Sequence, residues 1–388
     1  MRGSVPLTQN DLRPGFVELA FGEPAPSLLP EELVRAAAAD VLRELGRGAI
    51  AYGKPPGPIP LREAVTRRIA EREGLGVPWQ DVYITGGNSP ALDLILTVFT
   101  QPGDVALVES PTYNLALGTL RDHPVEIVGV GHDASGLDVD DLEAALDRVQ
   151  AAGRRARLLY TIPTFHNPAG ACLAESRRAR LLDLSAERDL LLVEDDVYRE
   201  LCYDGVAPRA LWTPDGAAPV FRLGSFSKSL TPGLRVGWVN ARRDLLDRLE
   251  AAGVLDSGGA PSHFAACVAA VVVSRDGYDA HIERLRAAYA SRRDALAAAL
   301  REHLPAGCSF DPPAGGFFIW LRLPPGVQGT DLLPLAESHG VGFAPGRRFC
   351  VDGDDNHVRL GFSLFDEEQL AEGARRLGAA LREHLGQT

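Results

Sequence analysis

The chain has 388 residues, 52 acidic against 40 basic, giving a formal net charge of −12 at pH 7, with 45% apolar and 24% charged residues. That length and composition predict a soluble globular protein of more than one lobe. They argue against a nucleic-acid binder, which needs a basic face to displace counterions. No apolar run is long enough for a membrane crossing and residues 1–10 lack a charged-then-apolar leader pattern, so a cytoplasmic location is the default expectation. The five cysteines (172, 202, 267, 308 and 350) are scattered with no CxxC pair, so neither a disulfide framework nor a metal site is expected.

Up to about Pro30 the chain is rich in Pro and Gly and reads as an irregular arm. Residues 31–45 are rich in Ala and Leu and predict a helix with Pro30 just before it. A Gly/Pro loop from Tyr52 to Pro60 precedes a second helix at about 61–72. From Val82 onward short apolar runs alternate with helical segments: VYIT at 82, VALVE at 105, VEIVGV at 125, RLLYTI at 157, LLLVE at 190, VFRLG at 220 and RVGWV at 235. Helices are expected near 89–100, 138–152, 175–188 and 262–274. The alternation predicts an α/β fold with a mostly parallel, seven-stranded sheet between helices. A long helix over about 278–303, strands near 316–323 and 357–363, and a helix from about Asp366 complete the chain. We read a large lobe, 46–280, and a smaller α+β lobe that combines 1–45 with 281–388.

In such sheets ligands sit at the carboxyl ends of the strands, and the unusual residues of this sequence gather there. The run at 220 leads into Gly224-Ser225-Phe226-Ser227-Lys228, where Lys228 is either a Schiff-base nucleophile or a surface lysine. Pro232-Gly233-Leu234-Arg235 follows, with an arginine suited to a phosphate. Gly86-Gly87-Asn88-Ser89 opens a helix, so its backbone can approach an anion closely, although many such pairs are only tight turns. Asp195, in Glu194-Asp195-Asp196-Val197-Tyr198, can keep a pyridine nitrogen protonated or merely cap a helix, and Tyr198 can donate to a phenolate oxygen. Asn167, in Asn167-Pro168-Ala169-Gly170, can donate to the same oxygen. Tyr113 offers a ring to stack on a flat cofactor, or it is a core tyrosine.

Together these pieces resemble the fold-type I enzymes that use pyridoxal 5′-phosphate (PLP), the aspartate aminotransferase superfamily. The likeness is greatest to the branch of 2-aminoadipate aminotransferases and MocR-type regulators. It runs from about Phe16 to Leu385 through FGEPAPSLLP, AIAYG, TGGNSPALDL, ESPTYN, IPTFHNPAG, VEDDVYREL, GSFSKSLTPGLRVGW, PAGGFFIW and HVRLGF. The resemblance implies a PLP-dependent aminotransferase with a Lys228 Schiff base and ping-pong exchange between an L-amino acid and a 2-oxo acid. It implies that Asp195 pairs with the ring nitrogen, that Asn167 and Tyr198 bind the ring hydroxyl, and that Tyr113 stacks on the ring. The phosphate is expected on Gly87, Asn88 and Ser89 with Ser225, Ser227 and Arg235. Tyr52 is expected to reach the partner's phosphate in a homodimer with shared sites, and Arg359 to hold the substrate α-carboxylate.

Three positions depart from that branch. Asn88-Ser89 stands where Ser-Gln is usual, and His166 stands where Gln is usual; for His166 one backbone bond in a loop is the expectation. Gly22-Glu23 borders the substrate in the family, so Glu23 either faces a substrate side chain or is solvated. The same scaffold also supports elimination, decarboxylation and carbon–carbon bond formation. A regulator role is disfavoured by the acidic charge and by the absence of a DNA-binding module ahead of the arm.

Overall fold

The computed structural model describes residues 12–258 and 260–386; residues 1–11 of the expected arm lie outside the described residues. At its centre is a sheet of eight strands. Across the sheet they run Val82–Thr85, Gly237–Asn240, Val220–Ser225, Leu191–Asp195, Ala156–Thr161, Val105–Ser110, Glu126–Asp133 and Gly136–Leu137. The five from Val220–Ser225 to Glu126–Asp133 are parallel. Gly237–Asn240 is antiparallel to both its neighbours. All seven expected strands form, and the count of seven is corrected to eight. The extra strand is two residues long and antiparallel to Glu126–Asp133, with Gly136 at φ +90°, too short to leave a periodic signal.

Every residue of Leu191–Asp195 is buried, as a parallel strand covered on both faces requires. Leu191 and Val193 face the helices Asn88–Phe99, Asn114–Arg121 and Arg243–Glu250. Leu192 faces Val139–Ala151 and Glu175–Arg188 on the other side. The alternation is the two-residue period of a pleated strand. The helices Asn114–Arg121, Arg243–Glu250 and Gly329–Ser338 were not expected from the sequence. The first two have eight residues each and the third contains Pro334, so none offers a long uninterrupted apolar stripe.

The long helix Asp276–His303 carries Glu367–His384 along its length. Asp366 and Gln369 close the start of the latter with a reciprocal capping box. Beside them Phe318–Arg322, His357–Gly361 and Ala344–Pro345 form an antiparallel sheet. Val17–Glu18 pairs in parallel with Val341–Gly342, and Gly361 N–H donates to Leu19 O at 2.6 Å. These contacts draw the N-terminal segment past Phe318, where a side chain at Gly22 would sit 2.2 Å from the ring. Among the described residues no helix is long and apolar enough to cross a membrane.

Candidate active site

One edge of the large sheet collects the expected residues, and the topology explains why. The parallel strands end there in Ser110, Thr161, Asp195 and Ser225, and Thr85 ends there too, because two antiparallel pairings restore its direction. Gly237–Asn240 runs the opposite way, so Arg235, two residues before it, lies at the same edge. Arg235 adopts a left-handed conformation (φ +53°), which ends the turn Pro232–Leu234. Its guanidinium donates to Gly86 O at 3.1 Å and to Ser227 Oγ at 3.4 Å. Gly87 has φ +109°, and a Cβ there would lie 2.7 Å from Arg235 Nη2. Only glycine leaves this cup open in front of the N-terminus of Asn88–Phe99, whose positive end favours an anion. Ser89 is exposed at that N-terminus, and Ser225 Oγ accepts from Ser227 N–H at 3.1 Å.

Asp195 is 6% exposed. Its Oδ1 accepts from Asn88 Nδ2 at 2.7 Å and its Oδ2 from Tyr160 O–H at 2.6 Å. Burial outweighs both bonds and pushes this carboxyl up to about 6. Lys228 Nζ donates to Gly22 O at 2.9 Å and lies 5.6 Å from the centre of the Phe317 ring. Burial pushes its ammonium down to about 8; the charge of Glu23 works against that shift, while Arg359 and Arg235 reinforce it. Tyr198 is buried with its ring edge-on to Phe317 and Phe318, and burial raises its hydroxyl well above the ordinary tyrosine value. Tyr113 is half-buried within the electrostatic reach of Asp195, Arg359 and Arg235.

Arg359 is 7% exposed, and its guanidinium lies 4.0 Å from the Phe318 ring centre and 4.7 Å from that of Phe349. Nη1 donates to Asn167 Oδ1 at 2.9 Å and Nη2 to Ala20 O at 2.6 Å, while buried Nε has no hydrogen-bond partner among the described residues. Among the described residues no carboxylate pairs with it, and burial pushes it down to about 10. A buried cation held only by neutral oxygens is a prepared seat for a small carboxylate.

Of the expected residues, Lys228, Asp195, Tyr198, Tyr113, Asn167, Arg359, Arg235, Ser225, Ser227, Gly87, Asn88 and Ser89 converge on this edge, with Gly22 and Glu23 alongside. Glu23 also accepts Ser363 Oγ on its backbone carbonyl at 2.7 Å. Tyr52 is 94% exposed, on a surface loop.

His166 makes the expected backbone bond in its loop, but it is also buried, 1% exposed, and packs against His132, with ring centres 4.3 Å apart. Its Nδ1 accepts Ala169 N–H at 3.1 Å, which places the ring proton on Nε2, 3.1 Å from Glu109 Oε2. Glu109 is fixed in turn by Ile162 N–H and Thr161 O–H. Glu109, His132 and His166 lie close enough together to hold a cation. That tautomer removes the lone pair His166 would offer, however, so the pair reads as a strut beneath Asn167. Sequence reasoning missed this strut, Tyr160, and the rings of Phe318 and Phe349, since buried aromatics on strands look alike before their partners are known.

The residues present fit PLP. The glycine cup with Arg235 suits a phosphate, and Asp195, a buried carboxylate raised toward neutrality, has no ion-pair partner among the described residues, a place that a protonated ring nitrogen would fill. The enclosed Lys228 amine suits an aldehyde. Comparison with known sequences decides the family: the pattern of "Aminotransferase class I and II" matches residues 15–377. The chain belongs to the class I and II aminotransferases. This aminotransferase is 37% identical over 372 residues to aromatic-amino-acid aminotransferase 1 of Thermococcus litoralis, covering 95% of this chain and 88% of that protein. It is also 37% identical to the 2-aminoadipate transaminase of Thermus thermophilus, covering 98% of this chain and 93% of that one. The kynurenine aminotransferase of Pyrococcus horikoshii, solved in complex with PMP, superposes with a TM-score of 0.90 at 36% identity, over 96% of this chain and 92% of that one.

Proposed function

We propose that this enzyme moves an amino group between an L-amino acid and a 2-oxo acid with PLP carried on Lys228. The observation that carries the reading is a buried Arg359 with no carboxylate partner among the described residues, in the same site as Lys228 and Asp195. When bound, PLP supplies an aldehyde to take up the amino group and a protonated ring that draws electrons from the substrate α-carbon.

The chain's own residues do the rest. Gly87, Asn88, Ser89, Ser225, Ser227 and Arg235 hold the phosphate. Asp195 keeps the proton on the ring nitrogen, Asn167 and Tyr198 hold the ring hydroxyl, and Tyr113 covers the ring face. Arg359 binds the α-carboxylate, which orients the α-hydrogen. Lys228 Nζ, neutral above about pH 8, would accept that proton and stand ready to give it back. Gly22 and Glu23 border the substrate.

The enzyme works as a homodimer in which Tyr52 completes the partner's phosphate site. Exposed apolar residues on and near that loop, Leu42, Leu45, Ile50 and Tyr52, support this reading. The large cofactor-binding part spans 46–280, flanked by 1–45 and by 281–388, which brings Arg359. The test is half-reaction chemistry: purified protein with bound cofactor, given one amino acid and no acceptor, should release one equivalent of 2-oxo acid and stop until a second oxo acid is added. Release of ammonia or carbon dioxide would instead identify one of the scaffold's other reactions.

A further inference from the structure

Glu109, near the end of the strand Val105–Ser110, is 1% exposed, and among the described residues no lysine or arginine pairs with it. A buried carboxylate without such a cation persists only where donors surround it. Three donor groups lie around this one: Thr161 O–H at 3.1 Å, Ile162 N–H at 2.8 Å and His166 Nε2 at 3.1 Å. The first two stand where the strand Ala156–Thr161 enters the loop at 162–172, and the third stands in the middle of that loop, so one carboxylate pins both places. The loop needs pinning, because Phe165 has φ +52°, a left-handed conformation that an aromatic residue keeps only when its surroundings enforce it. The backbone of His166 is held as well: its N–H donates to Ala171 O at 2.9 Å and its O accepts Gly170 N–H at 2.6 Å. His132 packs on the His166 ring; burial pushes the His132 imidazolium down to about 3, so it supplies packing and no charge. Next along the chain is Asn167, 5% exposed. A guanidinium can only donate, so the atom that meets Arg359 is the amide oxygen, and Asn167 Nδ2 is left as a donor without a hydrogen-bond partner among the described residues.

We propose that Glu109 and His166 are positioning residues for Asn167, holding its amide with Oδ1 on Arg359 and Nδ2 toward the ring hydroxyl of PLP. The carboxylate seat and the cofactor's ring oxygen are thereby joined through one amide whose orientation is set from beneath. The inference rests on the role proposed above for Asn167 at that hydroxyl.

The test is a visible absorbance titration of the holoenzyme with pH, which reads the proton shared between the ring oxygen and the Lys228 nitrogen. Loss of a donor to the ring oxygen makes that proton harder to remove, so Asn167→Ala should raise the midpoint by about one unit. His166→Leu and Glu109→Leu should raise it by at least about half a unit. His166→Gln and Glu109→Gln, whose amides can still join the two positions, should stay within about 0.2 units, as should His132→Leu, which removes only the packed ring. If Glu109→Leu fails to fold, His166→Leu, on the loop, carries the comparison. A midpoint that Asn167→Ala moves and His166→Leu does not would overturn the positioning role. Equal shifts for leucine and glutamine at 166, or for His132→Leu, would reduce the pair to packing and overturn it too. No shift in Asn167→Ala would instead overturn the reading of Asn167 beneath it.

Discussion

Asp195 is pulled two ways: burial disfavours its charge, while Asn88 and Tyr160 each donate a short hydrogen bond to it. Its carboxyl rises from the ordinary 3.8 to about 6, so the folded apoprotein holds a proton that the unfolded chain releases earlier. Folded protein therefore binds more protons between about pH 4 and 6, and apoprotein stability falls as pH rises through that window. Relative to Asp195→Asn, urea unfolding of the apoprotein should show a loss of roughly 3 kcal/mol across it and a flat difference above. Cofactor affinity should run the opposite way, rising through about pH 6 as the carboxylate forms. Asn88→Ala and Tyr160→Phe should each weaken cofactor binding by about tenfold, read by absorbance titration, because each removes a donor to a buried charge. Lys228 is also shifted, so cofactor attachment to the apoprotein should accelerate as pH rises through about 8.

At the scale of elements, the site is a property of strand ends, and that is why much of it was legible in the sequence. A parallel strand followed by a glycine pair, a lysine or an acidic cluster announces its own end, and each of these residues belongs to the strand it follows. What stayed hidden depends on contacts across the sheet. Tyr160 sits within a strand and looks like any core tyrosine until Asp195 lies beside it. Phe318 and Phe349 come from distant segments, and only folding places them against Arg359. The burial of the loop residue His166 stayed hidden because nothing local announces Glu109, on the strand Val105–Ser110. Arg359→Ala removes the carboxylate seat and should raise KM for both amino acid and oxo acid by about two orders of magnitude. Gly87→Ala should fold yet bind cofactor poorly, since its Cβ meets Arg235 and its φ of +109° suits glycine alone.

At the scale of the whole molecule, the N-terminal segment and the C-terminal sheet close over the large sheet's edge, so Gly22, Ala20 and Arg359 reach a site whose floor is built from residues 86–235. Tyr52 stands clear of that site in its own chain. If a partner supplies it, mixing Lys228→Ala chains with Tyr52→Ala chains should restore function in roughly a quarter of the sites, because half the dimers are hybrid and each hybrid holds one undamaged site. Sedimentation should give a dimer, and no recovery on mixing would place Tyr52 outside the chemistry.

The covalent role of Lys228 is tested most directly by tryptic mass analysis after borohydride reduction with PLP. The cofactor's mass should be found on the peptide containing Lys228 and nowhere else, and Lys228→Ala protein should carry none and exchange no amino groups. A label on another lysine, or undiminished exchange by the alanine variant, would contradict the account.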